Sequence, residues 1–318
     1  MEMETSRMTL VTDDQLIRRF LTDCKIRGLT DKTIEDYKGN VKIFHHFLEK
    51  QDTDFLTATK DTIREFVKYL RFDRKVSQRR IKNYFSGLST FYEFLIYEGL
   101  TETNKILQVR KRYLTSYKKD NGGSQRKLIS IEGMAHFINS IMDSRDKATA
   151  LLMAKTGIRR GELIRINVDD INWQDMSITL QPAAKRSNRI IFFDDETAYI
   201  LRKWLNKRKN IVKPGCNALF ISYMTRKRFR RSGIYSQFIF WAKKAGLHDP
   251  DSEKLEDHFT PHCCRHWFTT MLLRNGMPRE YVKELRGDSR RDAIDIYHHI
   301  DREELRKSYL ANIPVLGI

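Results

Sequence analysis

Along the first part of the chain, apolar residues recur at the three- and four-residue spacing of amphipathic helices. This spacing predicts a helix that ends at Gly28 and a second that begins at Thr30 or Thr33, followed by helices over 59–72 and 77–97. The apolar faces include Leu16, Ile17, Phe20, Leu21, Cys24, Tyr37, Val41, Phe44, Leu48, Ile81, Phe85, Leu88, Phe91 and Phe94. The pattern therefore predicts a compact four-helix unit whose polar faces are rich in Lys and Arg.

Beyond residue 128 the pattern is again mainly helical, with one change of period. Residues 177–180 and 189–193 are typical of short strands around a polar turn that holds Lys185. Helices are predicted over 129–155, 232–245, 279–285, 293–298 and 302–310, and after a cap at Asp194 or Asp195. We therefore predict an all-α domain over 1–112, a basic linker over 113–127, and a mainly α domain with a small antiparallel sheet over 128–318.

The charge balance narrows the class of partner. The 318 residues hold 59 Lys and Arg against 41 Asp and Glu, which gives a formal net charge of +18. Such an excess favours a polyanion partner, since Lys and Arg displace counterions from phosphates. A basic but merely solvated surface is the alternative.

Composition also bears on the compartment. The four cysteines form no C-x-x-C pair and no disulfide framework, which favours a reducing cytosol. The first residues carry acids rather than an apolar core, and no run approaches the length of a membrane span. We therefore expect neither a secretory signal nor a membrane partner.

The segment His262-Cys263-Cys264-Arg265-His266 carries the strongest chemical signal. Thr260 and Pro261 suit the start of a helix, on which His262, Arg265 and His266 share one side. The apolar residues of this helix, including Cys264, fall on the opposite side. Arg and His beside a helix N-terminus can bind a phosphate. Zinc is disfavoured, because adjacent cysteines on a helix point about 100° apart.

Three further segments complete a pattern. These are the box Thr156-Gly157-Ile158-Arg159-Arg160-Gly161-Glu162-Leu163, the turn lysine Lys185, and Ile296-Tyr297-His298-His299. In this order, after a small helical domain, they resemble the tyrosine recombinase (phage integrase) family, which includes Cre and the Xer recombinases. The resemblance covers nearly the whole chain. It implies an N-terminal SAM-like core-binding domain and the tyrosine recombinase catalytic fold.

The resemblance also implies roles for single residues. Arg159 and Arg265 would clamp the oxygens of one DNA phosphate, and Tyr297 would attack phosphorus to form a 3′-phosphotyrosine. His262 would act as general base and Lys185 as general acid.

Two further side chains, Glu162 and His266, would hold the arginines in place. This chemistry requires no metal, no ATP and no other cofactor.

One position departs from the family's pattern. A histidine or tryptophan usually follows a Leu-Gly pair about nine residues before the tyrosine, whereas this chain reads Leu285-Arg286-Gly287-Asp288. An ionised carboxylate cannot donate to a phosphate. Our hypothesis is that Asp288 orients Arg286 or another cation toward the phosphate.

Two surface features have alternative interpretations. The basic run Arg226, Lys227, Arg228, Arg230 and Arg231 is either a DNA-backbone contact or a solvated loop. The apolar C-terminal residues Ile313, Val315, Leu316 and Ile318 would dock on a neighbouring protomer, as in the family, or pack on their own domain.

The whole pattern predicts a site-specific DNA recombinase or integrase. Its partners would be double-stranded DNA, three further copies in a tetramer on two DNA sites, and accessory DNA-bending proteins, in the cytoplasm and associated with the nucleoid. Two alternatives remain open at this point. One is a type IB topoisomerase-like enzyme, and the other is a DNA-binding protein that has lost catalysis, for which Asp288 is the motive.

Overall fold

The structure is a computed structural model that describes residues 12–115, 127–181, 189–288 and 300–318. The chain divides into two compact units, Met1–Asn121 and Gly122–Ile318, called here the N-terminal and C-terminal units. The boundary between them falls in the basic stretch for which the sequence predicts a linker. None of the helices in the described ranges is both long and apolar enough to span a membrane.

The N-terminal unit contains the predicted helices and one more. The helices are α1 Asp13–Ile26, α2 Asp31–Glu49, α3 Lys60–Lys68, continued by a π-helical turn Tyr69–Asp73, α4 Gln78–Tyr97 and α5 Lys105–Tyr113. Of the two predicted starts for α2, the structure selects Thr30, whose side chain accepts the backbone N–H of Thr33. The prediction of four helices was wrong, because the structure has a fifth helix, α5. Only Ile106 and Val109 are buried in α5, so its apolar spacing is too sparse to indicate a helix.

Aromatic rings fill the core of the N-terminal unit. Phe44 and Phe66 lie 4.8 Å apart between ring centroids, and Phe55 meets Phe91 edge-on at 4.7 Å. All four rings are fully buried. Such pairs add to the free energy of burial by about 0.5–1.5 kcal/mol each.

The C-terminal unit is mainly helical, as predicted. Its helices are α6 Ile131–Ser140, α7 Ser144–Thr156, α8 Arg160–Leu163, α9 Asp195–Lys209, α10 Arg231–Lys244, α11 Pro261–Arg274, α12 Arg279–Arg286 and α13 Arg302–Asn312. Asp194 caps α9, accepting the Thr197 N–H at 3.0 Å. The helix predicted over 293–298 lies outside the described residues.

The small sheet is antiparallel, in the order β1 Ile171–Asn172, β2 Ser177–Leu180 and β3 Arg189–Phe192. The register pairs Ile178 with Ile191 and Leu180 with Arg189. The strands β2 and β3 confirm the prediction. The edge strand β1 was not predicted, because two residues are too few to show an alternating pattern.

The central helix of the C-terminal unit is α7, which packs against α9 and α11. Its apolar residues are buried on all sides, and so is the side chain of Lys155. The Lys155 ammonium donates to Asp194, to Glu196 and to the carbonyl of Pro314 at 2.6 Å. A buried cation is stable only with such partners.

The C-terminal residues pack on their own unit. Ile313 and Leu316 are buried, and Glu196 accepts the backbone N–H groups of Leu316 at 3.0 Å and Ile318 at 3.1 Å. In the single chain these residues therefore pack on their own domain, which is the second of the two alternatives given above. Val315 alone of the four is exposed, at 76%.

Candidate active site

The turn between α7 and α8 presents Arg159. Gly157 ends α7 in the left-handed region, with φ of 59°, and a Cβ added there would lie 2.4 Å from Cδ1 of Phe268. Only glycine meets both conditions without strain. The Arg159 N–H then donates to Oε2 of Glu162 at 2.9 Å, which fixes the start of α8. The side chain of Arg159 remains partly exposed, at 29%.

On the facing helix α11, Arg265 is held by the same turn. Its Nη1 donates to the carbonyl of Gly157 at 2.9 Å, and its side chain is only 5% exposed. Burial lowers the pKa of Arg265 to about 10, and the neighbouring charges of Arg159 and Arg286 contribute. The guanidinium therefore keeps its proton and its charge at neutral pH.

The two arginines converge on the end of α12. The carbonyl of Arg286 accepts from Nη1 of Arg159 at 3.1 Å and from Nη2 of Arg265 at 2.9 Å. Oδ1 of Asp288 accepts from Nη2 of Arg159 at 3.4 Å and from Nη2 of Arg265 at 3.0 Å. Two guanidinium groups that are 106 residues apart in sequence thus share two acceptors, one of which is an anion.

Beneath this pair lies a buried ion pair that the sequence did not indicate. Nη1 and Nη2 of Arg189 donate to the two oxygens of Glu162 at 2.7 and 2.9 Å, and Nε donates to the carbonyl of Leu285 at 3.1 Å. The side chains are 4% and 7% exposed. Burial alone would raise the pKa of Glu162, but the hydrogen bonds and charge of Arg189 outweigh it and lower the pKa to about 2.

The position of the Arg189 side chain also explains why the residue before Asp288 is a glycine. Gly287 adopts φ of 58° at the end of α12, and a Cβ there would lie 2.4 Å from Nη1 of Arg189. The signal in the sequence was a lone arginine at the start of an otherwise apolar strand. Its partners depend on contacts between distant segments, which periodicity does not reveal.

The histidines of α11 lie on the predicted side of the helix. His262 and His266 are exposed, whereas Cys263 and Cys264 are buried. Burial raises the pKa of the Cys264 thiol, which fits its predicted place in the core. In the described ranges no group of three or more His, Cys, Asp or Glu side chains is arranged to hold a metal ion.

Two of the predicted catalytic residues, Lys185 and Tyr297, lie outside the described residues. Their predicted roles are taken up below as a proposal.

The basic residues before α10 differ in their contacts. Arg226, Lys227, Arg228, Arg230 and Arg231 are all exposed. The guanidinium of Arg228 also contacts its own unit, where Nη1 donates to the carbonyl of Ile164 and Nη2 to Oδ1 of Asn167, both at 2.6 Å. Arg228 thus differs from its neighbours in these hydrogen bonds and not in its exposure to solvent.

Comparison with known proteins places these features in a family. The model of the phage integrase family matches residues 130–304, and the model of the phage integrase N-terminal SAM-like domain matches residues 16–102. The match to the phage integrase family model alone spans more than half of the chain.

Curated relatives agree along almost the full length. Tyrosine recombinase XerC of Leptospira interrogans is 25% identical over 93% of this chain and 92% of that protein. Tyrosine recombinase XerD of Rickettsia bellii is 27% identical over 89% and 93%. The fold is similar to that of a lambda integrase tetramer bound to a Holliday junction, with a TM-score of 0.68, 19% identity, and coverage of 90% of this chain and 77% of that one.

These relatives are recombinases, so the topoisomerase-like alternative and the alternative of a binder without catalysis are not favoured. The helical N-terminal unit and the mainly helical C-terminal unit with its three-stranded sheet match the predicted fold class. The chain belongs to the phage integrase family and is a tyrosine recombinase, an enzyme of site-specific DNA recombination.

Proposed function

We propose that this recombinase cleaves and rejoins double-stranded DNA through a 3′-phosphotyrosine on Tyr297, without metal, ATP or another cofactor. The observation that supports the proposal is the convergence of Arg159 and Arg265 on one anion. Planar guanidinium groups suit two oxygens of one phosphodiester. Both guanidinium groups donate to backbone carbonyls, which fix their positions, so they need little reorganisation when a phosphate binds.

Each of the five catalytic residues would have one role in the reaction. The phenol oxygen of Tyr297 attacks phosphorus, its proton passes to His262, and the bond from phosphorus to the 5′-oxygen breaks. Lys185 gives a proton to the leaving 5′-oxygen. Arg159 and Arg265 stabilise the charge that develops on the other phosphate oxygens. Rejoining reverses these steps, and the phosphotyrosine conserves the bond energy.

Glu162 would keep Arg159 in position. It accepts the Arg159 N–H at 2.9 Å, and Arg189 fixes its carboxylate by donating to both oxygens, at 2.7 and 2.9 Å. His266, exposed one turn beyond His262 on the same helix face, would likewise help to hold the arginines in place.

The DNA partner would meet the exposed basic residues. Arg226, Lys227, Arg228, Arg230 and Arg231 would contact the phosphate backbone, which gives affinity that falls steeply with salt. We propose that the active assembly is a tetramer on two DNA sites, in line with the lambda integrase tetramer, and that accessory DNA-bending proteins assist it. Its place would be the cytoplasm, in association with the nucleoid.

The experiment uses a nicked duplex that carries inverted half-repeats from DNA next to the gene. The strand end released by cleavage diffuses away, so the covalent adduct accumulates and survives a denaturing gel. We expect an adduct with the wild-type chain and none with Tyr297→Phe. Tyr281→Phe is the matched control, since Tyr281 has its hydroxyl 3.2 Å from Glu304 and is not assigned to the site.

Two results would contradict the proposal. One is an adduct of undiminished yield in Tyr297→Phe. The other is specific binding of the duplex by wild-type chain without any adduct.

A further inference from the structure

The carboxylate of Asp288 lies among three guanidinium groups. Oδ1 accepts from Arg265 at 3.0 Å and from Arg159 at 3.4 Å, and Oδ2 lies 3.0 Å from Nε of Arg286. The carboxylate is 32% exposed, so the space between the three guanidinium groups is open to solvent. A phosphodiester offers the same features, namely two oxygens that share one negative charge.

Arg286 is arranged to serve the same anion. Its Nε is buried and makes no hydrogen bond with the described residues, since its contact with Asp288 is an ion pair without hydrogen-bond alignment. A buried donor without an acceptor is unfavourable. This nitrogen can therefore donate to an oxygen of slightly different position, such as one on a phosphate.

The sequence supports a joint role for these two residues. Where the family's pattern has a Leu-Gly pair and then His or Trp, this chain has Arg286, Gly287 and Asp288. The positions of the Leu and of the His or Trp are thus held in this chain by two side chains of opposite charge that contact each other. The left-handed turn at Gly287 brings both side chains to the arginine pair.

We propose that Asp288 is a stand-in for the DNA phosphate and that Arg286 is the third guanidinium of the phosphate site. The carboxylate holds the three cations together in the free protein, and the phosphodiester takes its place when DNA binds. Two anions cannot share the position between Arg159 and Arg265, because they repel each other. The inference rests on the proposed function, which identifies the incoming anion as DNA.

The first test uses inorganic phosphate and the full chain. Phosphate that binds the folded state raises the unfolding temperature, and at a given concentration it raises it more the tighter it binds. All four tryptophans, Trp173, Trp204, Trp241 and Trp267, belong to the C-terminal unit, so their fluorescence reports on that unit alone.

Asp288→Asn keeps the size of the side chain and removes its charge. We expect it to bind phosphate about tenfold more tightly than wild type, because no carboxylate competes. Asp195→Asn is the matched control, with the same chemical change at an exposed position in the first turn of α9, and should behave as wild type. Adding Arg286→Gln to Asp288→Asn should remove most of the gain.

Equal phosphate affinity in wild type and Asp288→Asn would overturn the inference, as would a gain that persists with Arg286→Gln. Asp288→Ser is a second neutral variant. If neither variant folds, the wild type decides. The dissociation constant for phosphate follows from the rise of the unfolding temperature with phosphate concentration; a value below about 1 mM contradicts competition, and a higher value supports it.

A second arm replaces phosphate with short duplex DNA. A similar gain for duplex in Asp288→Asn supports DNA as the natural occupant, and a gain for phosphate alone contradicts it. Neither arm depends on cleavage. A missing tyrosine adduct would therefore refute the proposed reaction and leave the phosphate result standing, while equal phosphate affinities would refute only the stand-in.

Discussion

Replacing Glu162 with glutamine should destabilise the C-terminal unit by about 3 kcal/mol near neutral pH. The pKa of Glu162 falls from an ordinary 4.5 to about 2 in the folded chain. Each tenfold change in the ionisation constant corresponds to about 1.4 kcal/mol, so the ionised carboxylate contributes about 3 kcal/mol of stability. Glutamine keeps the shape of the side chain but removes the carboxylate with which Arg189, 4% exposed, pairs among the described residues.

The effect should depend on pH in a defined direction. Because the folded pKa lies below the unfolded one, the contribution of Glu162 is fully present above about pH 4.5 and is lost as the pH falls toward about 2. The difference between wild type and Glu162→Gln should therefore shrink as the buffer is moved from about pH 6 to about pH 3.

Urea unfolding followed by tryptophan fluorescence measures this difference in the C-terminal unit alone. Glu280→Gln, an exposed acid in the first turn of α12, is the control and should change stability by less than about 0.5 kcal/mol. A loss below about 1 kcal/mol at neutral pH would refute the reasoning. So would a loss that stays constant down to about pH 3.

Two other variants test the supports of the site. Gly157→Ala should cost about 2–3 kcal/mol in urea unfolding and reduce adduct yield, because φ of 59° strains alanine and its Cβ meets Phe268; a cost below about 0.5 kcal/mol would contradict this. Arg228→Ala should lower stability by about 1 kcal/mol through the loss of its hydrogen bonds to Ile164 and Asn167. Lys227→Ala should leave stability unchanged and reduce the salt dependence of DNA binding by about one counterion. Equal stability of these two variants would show that the hydrogen bonds of Arg228 contribute nothing.

Local patterns predicted most of the helices and the first elements of the site. The apolar spacing around Phe20 and Phe44 specified helices whose buried faces match it, and Asp194 was identified as one of two caps for α9. The box around Arg159 and the start of α11 were also found from sequence. These features depend on residues within one or two helical turns, where spacing and capping chemistry act directly.

What the sequence did not reveal depends on contacts between distant segments. Arg189 pairs with Glu162 only because the sheet places β3 beside α8, and Arg228 finds its acceptors near Ile164 in the same way. Arg265 shares a helix face with the exposed His262, yet it is buried because the α7–α8 turn and the end of α12 cover it. The sequence of α11 alone does not indicate that these two segments pack over Arg265.

The position of Lys155 links the last residues of the chain to the arginine site. Lys155 and Pro314 are 159 residues apart in sequence, but their hydrogen bond joins the C-terminus to a lysine only two residues before Gly157. The terminal residues are thus a structural part of the helix end that presents Arg159. Shortening the chain after Ile313 would leave an ammonium in the interior with fewer acceptors, and the resulting disturbance would begin only four residues before Arg159.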